Sequence, residues 1–243
     1  MDTYEKTLTL KTRNCDLKAA WRLREILEEM QECAGEHCEA LDISRAGMLE
    51  QNRAWVLVRT HLEMDRYPTI GDPVTILTFP KASRHMLYPR FFLFLDASGA
   101  VFGKASTLWT IMDLKTRRAV PDPEMDARLP RNEQLPSPMP YPGAARKVDG
   151  ALQTQLYTPL YSDLDSLGHV NNARYADWLC NILGPDRMRR STIRSMTVNY
   201  NHELLPDHAL ELRWTEQEHT IWLSGGAPGE TAFELSAEYT DAE

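Results

Sequence analysis

The chain has 243 residues, a formal net charge of −8 and 42% apolar residues. That is enough apolar material for a core, and the acidic balance excludes broad nucleic-acid binding, which needs a basic footprint. No apolar run approaches the roughly 20 residues of a bilayer span, and the opening Met-Asp-Thr-Tyr-Glu-Lys has neither the basic nor the apolar region of a secretory signal.

Tyr4 to Lys11 alternates in strand fashion, with Thr and Tyr favouring the pleat. Asn14 and Asp16 then offer a helix start, and Leu17 to about Leu41 reads as a helix. Ala20, Leu23, Leu27, Met30, Ala34 and Cys38 lie on one side, with Arg22, Glu25, Glu29 and Glu32 opposite. Cys15, Cys33, Cys38 and Cys180 have no C-x-x-C spacing, so reduced thiols and a cytoplasmic setting are expected. Cys33 and Cys38, with His37 between them, could look like a metal cluster, but residues five apart on a helix do not share a face well, so no metal is expected, and no motif asks for a cofactor. Ile43 to Gln51 is a short helical or turn segment. Strands follow at 54–64, 74–79, 85–95 and 101–112, with Asp96-Ala97-Ser98-Gly99 as a hairpin turn. One long helix followed by antiparallel strands is an α+β pattern rather than β-α-β alternation.

Seven of the 15 prolines fall between Pro121 and Pro142, which disfavours both helix and ladder and predicts an extended connection. After it the pattern repeats: a strand at 152–159, a polar loop, a helix to about Leu183, and strands at 191–201, 209–215, 219–223 and 233–239. Val58 to Glu63, running on to Asp72, matches Ile193 to Val198, running on to Asp207. Two such copies suggest a duplicated fold. The expected organisation is a first unit at 1–120, a connecting segment at 121–150 and a second unit at 151–243.

The most informative stretch is Asp163 to Leu183. Its first half is a loop containing Asp163, Asp165, Gly168 and His169. Its second half is a helix for which Asn171 or Asn172 stands where an N-cap belongs. A histidine beside a helix start, whose free N–H groups suit a developing oxyanion, is a plausible reaction centre. Taken singly, each residue is more simply structural: a lone histidine is commonly a core or surface group, an asparagine pair a cap, Asp165 an Asx turn. Glu203 read alone is a surface acid.

Asp165, Gly168, His169, Val170, Asn171, Asn172 and Tyr175 in one register resemble the hotdog-fold thioesterase signature. The chain as a whole resembles the acyl–acyl carrier protein thioesterases of plant plastids and bacteria. In the first half Trp55 to Arg59, Arg66-Tyr67-Pro68, Gly71-Asp72, Arg90, Asp96, Gly99 and Ser106 to Trp109 carry the resemblance. In the second half the signature, Trp178 and Tyr200-Asn201-His202-Glu203 do. The resemblance implies a tandem hotdog, each half a long helix wrapped by an antiparallel sheet, with one site between the halves. The first half would supply most of the acyl-chain wall. The catalytic set it implies is Asp165, His169 and Glu203, acting on the thioester of a fatty acyl–acyl carrier protein.

Two departures bear on mechanism. Many members carry asparagine where this chain has Leu167, and plant members carry cysteine where it has Leu204. A leucine cannot attack a carbonyl, so the expected chemistry is water activation by Glu203, or by Asp165, with His169 positioning the base or polarising the thioester. Amides near Val170, Asn171 and Asn172 would hold the oxyanion. Arg187, Arg189, Arg190 and Arg194 form a basic cluster that could dock an acidic carrier protein, or could be a solvated turn. An acyl-CoA thioesterase and a non-catalytic acyl-binding hotdog are the alternatives. A monomer or a homodimer is compatible with a tandem fold.

Overall fold

The structure is a computed structural model that describes residues 2–206 and 208–241. Eleven strands form one antiparallel sheet. The first half contributes β1 (Tyr4–Thr9), β2 (Arg53–Met64), β3 (Pro73–Pro80), β4 (Tyr88–Leu95), β5 (Val101–Asp113) and β6 (Arg118–Ala119). The second contributes β7 (Gln153–Tyr157), β8 (Ser191–Tyr200), β9 (Leu210–Gln217), β10 (Thr220–Gly226) and β11 (Phe233–Asp241). Strand order is β1-β3-β4-β5-β2-β8-β11-β10-β9-β7, with β6 on β5. The halves join where β2 pairs with β8, from Arg59 opposite Asn199 to Glu63 opposite Ser195.

Two helices lie on one face of this sheet, α1 (Leu23–Ala40) in the first half and α4 (Arg174–Leu183) in the second. α1 turns Leu23, Ile26, Leu27, Met30, Cys33, Ala34 and His37 inward, the stripe a helical period predicts. α4 turns in Tyr175, Ala176, Trp178, Leu179 and Leu183, and Tyr175 stacks on Phe233 at 4.0 Å. Both helices share one core with the inward residues of the strands. Each half is a helix cradled by an antiparallel sheet, the α+β arrangement of a double hotdog.

α1 starts at Leu23, not near Leu17. The Asp16 carboxylate, expected to cap a helix, instead accepts the amides of Lys18 and Ala20 and closes a turn. Neither Asn171 nor Asn172 is the residue flanking α4. That place is Ala173, whose amide donates to Asn171 Oδ1 at 2.9 Å. The proline-rich stretch does contain a helix, α3 (Pro123–Arg128). Pro123 opens it, where a missing N–H costs nothing, and Asp122 caps the Met125 amide. Two further short helices are α2 (Arg45–Glu50) and α5 (Pro185–Arg190).

The rest of the connection crosses the outer face of the sheet. Pro140 O accepts the Ser106 hydroxyl, and the amides of Ala145 and Arg146 donate to Asn199 and Ser236. Val148 O accepts from Thr215. Those partners sit on β5, β8, β11 and β9 and alternate with core residues such as Ala105, Val198 and Leu235. A loop that covers a sheet face must satisfy the backbone groups it buries, and these side chains do so.

Candidate active site

The loop before α4 is built by Asp165. Its Oδ1 accepts the amides of Leu167 (2.8 Å) and His169 (3.1 Å), and its own amide donates to His169 O at 2.8 Å. Gly168 sits at φ 80°, a left-handed conformation that glycine adopts freely. Val170 N donates to Leu204 O, and Asn171 N to Asp163 O. Asp163 is buried, accepting from the Tyr157 hydroxyl (2.6 Å) and Leu160 N (2.8 Å). Burial of the Tyr157 phenol itself, and then the adjacent Asp163 carboxylate, push it up to about 12.

The loop carries His169 to the connection after β8, where Glu203 lies. His169 Nε2 and Glu203 Oε2 are 3.5 Å apart, with side chains 30% and 40% exposed. The same oxygen forms an ion pair with Arg117. Arg117 stands on the β5–β6 turn of the first half, so one carboxylate is gripped from both halves. No sequence signal pointed to Arg117, because its role exists only once the halves meet. With Oε2 engaged twice, Oε1 is the oxygen of Glu203 left to face a water.

The expected oxyanion amides divide. Those of Val170 and Asn171 already donate to backbone carbonyls, so they are not available for an oxyanion. The Asn172 amide makes no hydrogen bond among the described residues. Leu204, where a nucleophile could have stood, is buried in the core.

A cavity of about 500 Å³ opens between α1, α2 and the strands β2, β4 and β5. Ala34, Met48, Trp55, Tyr88 and Trp109 line it from the first half, and Leu167, two residues before His169, lines it from the second. His169 and Glu203 are not among its lining residues, and the loop reaches the cavity through Leu167.

The arginine cluster lies on α5 and the start of β8, at the far end of α4. Ten residues at 1.5 Å each put about 15 Å between it and the His169 loop. Arg187 pairs with Glu216 at 2.6 Å and Arg189 with Asp186 at 2.9 Å. Arg190 donates to Asp186 O, and Arg194 to Asp65 O and Thr240. The described residues contain no group of three or more His, Cys, Asp or Glu placed to hold a metal, and no helix among them is long and apolar enough to cross a membrane.

Known proteins share this layout. The acyl-ACP thioesterase N-terminal domain matches residues 1–125, and the acyl-ACP thioesterase C-terminal domain matches 147–232. The chloroplastic dodecanoyl-[acyl-carrier-protein] hydrolase of Cinnamomum camphora is 25% identical over 92% of this chain and 65% of its own length. The chloroplastic palmitoyl-acyl carrier protein thioesterase of Arabidopsis thaliana is 29% identical over 86% of this chain and 54% of its own. The chain therefore spans about half to two thirds of these plant proteins. The crystal structure of an acyl-ACP thioesterase from Bacteroides thetaiotaomicron superposes with a TM-score of 0.89 at 21% identity, covering 98% of both chains. The 12:0-ACP thioesterase from Umbellularia californica superposes at 0.81 and 22% identity, over 98% of this chain and 97% of that one. With both family domains matched in order along the sequence, this chain belongs to the acyl-ACP thioesterase family.

Proposed function

We propose that this protein hydrolyses the thioester of fatty acyl–acyl carrier protein and releases the free fatty acid. The observation that carries the reading is the meeting, at 3.5 Å, of Glu203 with His169, on a loop whose Leu167 lines a largely apolar cavity. Both groups are open to water.

In the proposed reaction Glu203 Oε1 orients a water and takes its proton as the oxygen bonds to the thioester carbonyl carbon. Arg117 and His169 fix the carboxylate through Oε2. Held at Oε2, the carboxylate contributes by orienting the water. The Asn172 amide receives the oxyanion. The C–S bond then breaks, and the departing thiolate takes the proton that Glu203 removed from the water, passed on through His169, so that both groups return to their starting state. Asp165 acts as a positioning residue that shapes the loop. The acyl chain lies in the apolar cavity, where each buried methylene contributes about 0.8 kcal/mol, so cavity depth sets chain-length preference.

The family relationship supports a carrier protein over coenzyme A as the thiol. A carrier docked on Arg187, Arg189, Arg190 and Arg194 would reach the site through its flexible arm. Reversing charge at Arg189 and Arg190 then raises KM for the carrier-bound substrate and spares a short thioester mimic. Four free thiols suit a cytoplasmic, reducing setting. The competing reading is an acyl-binding protein without turnover, which the buried Leu204 favours. Thiol release measured on matched acyl-carrier and acyl-CoA substrates decides among these. Near-wild-type turnover in both His169→Ala and Glu203→Ala would overturn the assignment.

A further inference from the structure

The loop before α1 repeats the catalytic loop bond for bond. Asp16 Oδ1 accepts the amides of Lys18 (2.8 Å) and Ala20 (3.2 Å), as Asp165 does from Leu167 and His169. Asp16 N donates to Ala20 O and Ala19 N to Asp16 O, as Asp165 N does to His169 O and Gly168 N to Asp165 O. Ala19 and Gly168 are both left-handed, at φ 59° and 80°. Trp21 N reaches Pro68 O where Val170 N reaches Leu204 O, and Arg22 N reaches Asn14 O where Asn171 N reaches Asp163 O. Ala20 therefore occupies the place of His169, Tyr67 that of Glu203, and Lys18 that of Leu167.

The cavity is duplicated as well. A second one, of about 390 Å³, lies beside the first-half loop, and Lys18 lines it as Leu167 lines the first. Leu17, Trp21, Leu23, Cys180, Met188 and Ile193 give it an apolar wall. Its catalytic groups are gone. Tyr67, in the place of the glutamate, donates its hydroxyl to Ile193 O. Positive charge stands beside it instead, at the places of Leu167 and Asn171. Lys18 Nζ donates to Ser191 O at 2.7 Å and Arg22 Nη2 to Cys15 O at 2.8 Å. Neither cation pairs with a carboxylate among the described residues. The two acids of the cavity are engaged elsewhere: Asp16 by the loop amides, Asp177 by Arg174 (2.7 Å) and Arg24 (3.7 Å).

We propose that the second cavity is a non-catalytic site for a free long-chain carboxylate, with Lys18 and Arg22 holding the head group and the apolar wall holding the chain. A cation bonded only to neutral carbonyls gains a charge-assisted partner from such a ligand. A thioester offers no charge to it. Identifying the ligand with the enzyme's own product, and the site with feedback, rests on the hydrolase reading. The carboxylate site itself does not.

Calorimetric titration of the full chain with dodecanoate, and with dodecanol as the uncharged control, tests this. The expected result is two dodecanoate sites per chain. Gly35→Phe removes the first, because Gly35 lines that cavity and a Cβ added there meets nothing within 4 Å. Lys18→Glu removes the second, or weakens it at least tenfold, and Lys18→Gln gives the same result in smaller measure should the reversal unfold the chain. Dodecanol binds the Lys18 site at least tenfold more weakly than dodecanoate does. A single dodecanoate site, abolished by Gly35→Phe and untouched by either Lys18 variant, overturns the proposal. Thiol release assayed on the same wild-type protein separates the two ideas. Two carboxylate sites without hydrolysis would leave this site standing and sink the hydrolase reading, and hydrolysis with one site would do the reverse.

Discussion

The loop at 163–171 and the loop at 14–22 use the same aspartate, the same left-handed residue and the same bonds to the opposite connection. They hold different cargo. One presents His169 to Glu203, and the other presents Ala20 to Tyr67. What is common to both is scaffold, and what differs is a candidate for chemistry. By that comparison we propose Asp165, expected in the catalytic set, as scaffold, since Asp16 makes the same bonds where no histidine exists. His169, Glu203 and the cross-half Arg117 are the additions.

The strongest way to break the comparison is to make the second-half loop resemble the first. His169→Ala should leave the loop closed, because the Ala20 loop closes without a ring. Turnover should fall by about 10²–10⁴-fold, the usual contribution of a positioned acid–base group. Circular dichroism and melting temperature should stay at wild type. Substantial residual turnover would mean that the two loops do not differ in chemistry.

Next in size is the aspartate pair. Asp165→Ala and Asp16→Ala each leave two loop amides without an acceptor, costing about 1–3 kcal/mol, read as a lowered melting temperature of similar size in both. Asp165→Asn keeps the accepting oxygen and should keep most of both stability and turnover. Should Asp165→Asn abolish turnover at unchanged stability, Asp165 belongs to the chemistry and not to the scaffold.

Strand positions were legible because alternation survives in β1, β9 and most of β3, while β4, β5 and β10 are near-continuous buried runs. The α+β class and the signature helix followed from the same periodicity. The finer register was not. The sequence match of Val58–Glu63 to Ile193–Val198 is one residue out. The structure places Thr60 and Leu62 with Met196 and Val198, all buried, through the equivalence of Pro68 and Leu204. Its other end, Asp207, lies outside the described residues. A one-residue slip turns every side chain to the wrong face, but β2 has a bulge between Leu57 and Arg59 that masks the slip in sequence. The first loop was hidden for a related reason. Only the aspartate is shared between Asp16-Leu17-Lys18-Ala19-Ala20-Trp21 and Asp165-Ser166-Leu167-Gly168-His169-Val170, and the likeness lies in backbone bonds. Asn14 and Asp16 imitate a helix start because the same side chains cap turns and helices alike.

Arg117 sharpens the comparison at a smaller scale. Its pair with Glu203 is half-exposed, so Arg117→Ala should cost at most about 1 kcal/mol of stability. Its use is to hold Glu203 Oε2, and loss of that constraint should lower kcat by about tenfold, or ~1.4 kcal/mol, with KM little changed. Arg117→Lys should recover part of the loss. An equal fall in Arg117→Lys and Arg117→Ala would point to the planar, two-pronged geometry rather than the charge.

The smallest expected effect compares the two left-handed residues directly. A side chain at such a position costs about 1–2 kcal/mol, partly offset by the smaller entropy of the unfolded chain. Ala19 already bears that strain, and a Cβ at Gly168 would meet nothing within 4 Å. Gly168→Ala should therefore lower stability by about 1 kcal/mol and Ala19→Gly should raise it by a similar or smaller amount, a difference of a few degrees in melting temperature for a chain of this size. Gly168→Ala should also keep its turnover, because the backbone bonds on either side hold His169 in place. If the two substitutions shift stability in the same direction, the loops are not mechanically equivalent, and the assignment of Asp165 to the scaffold loses its footing.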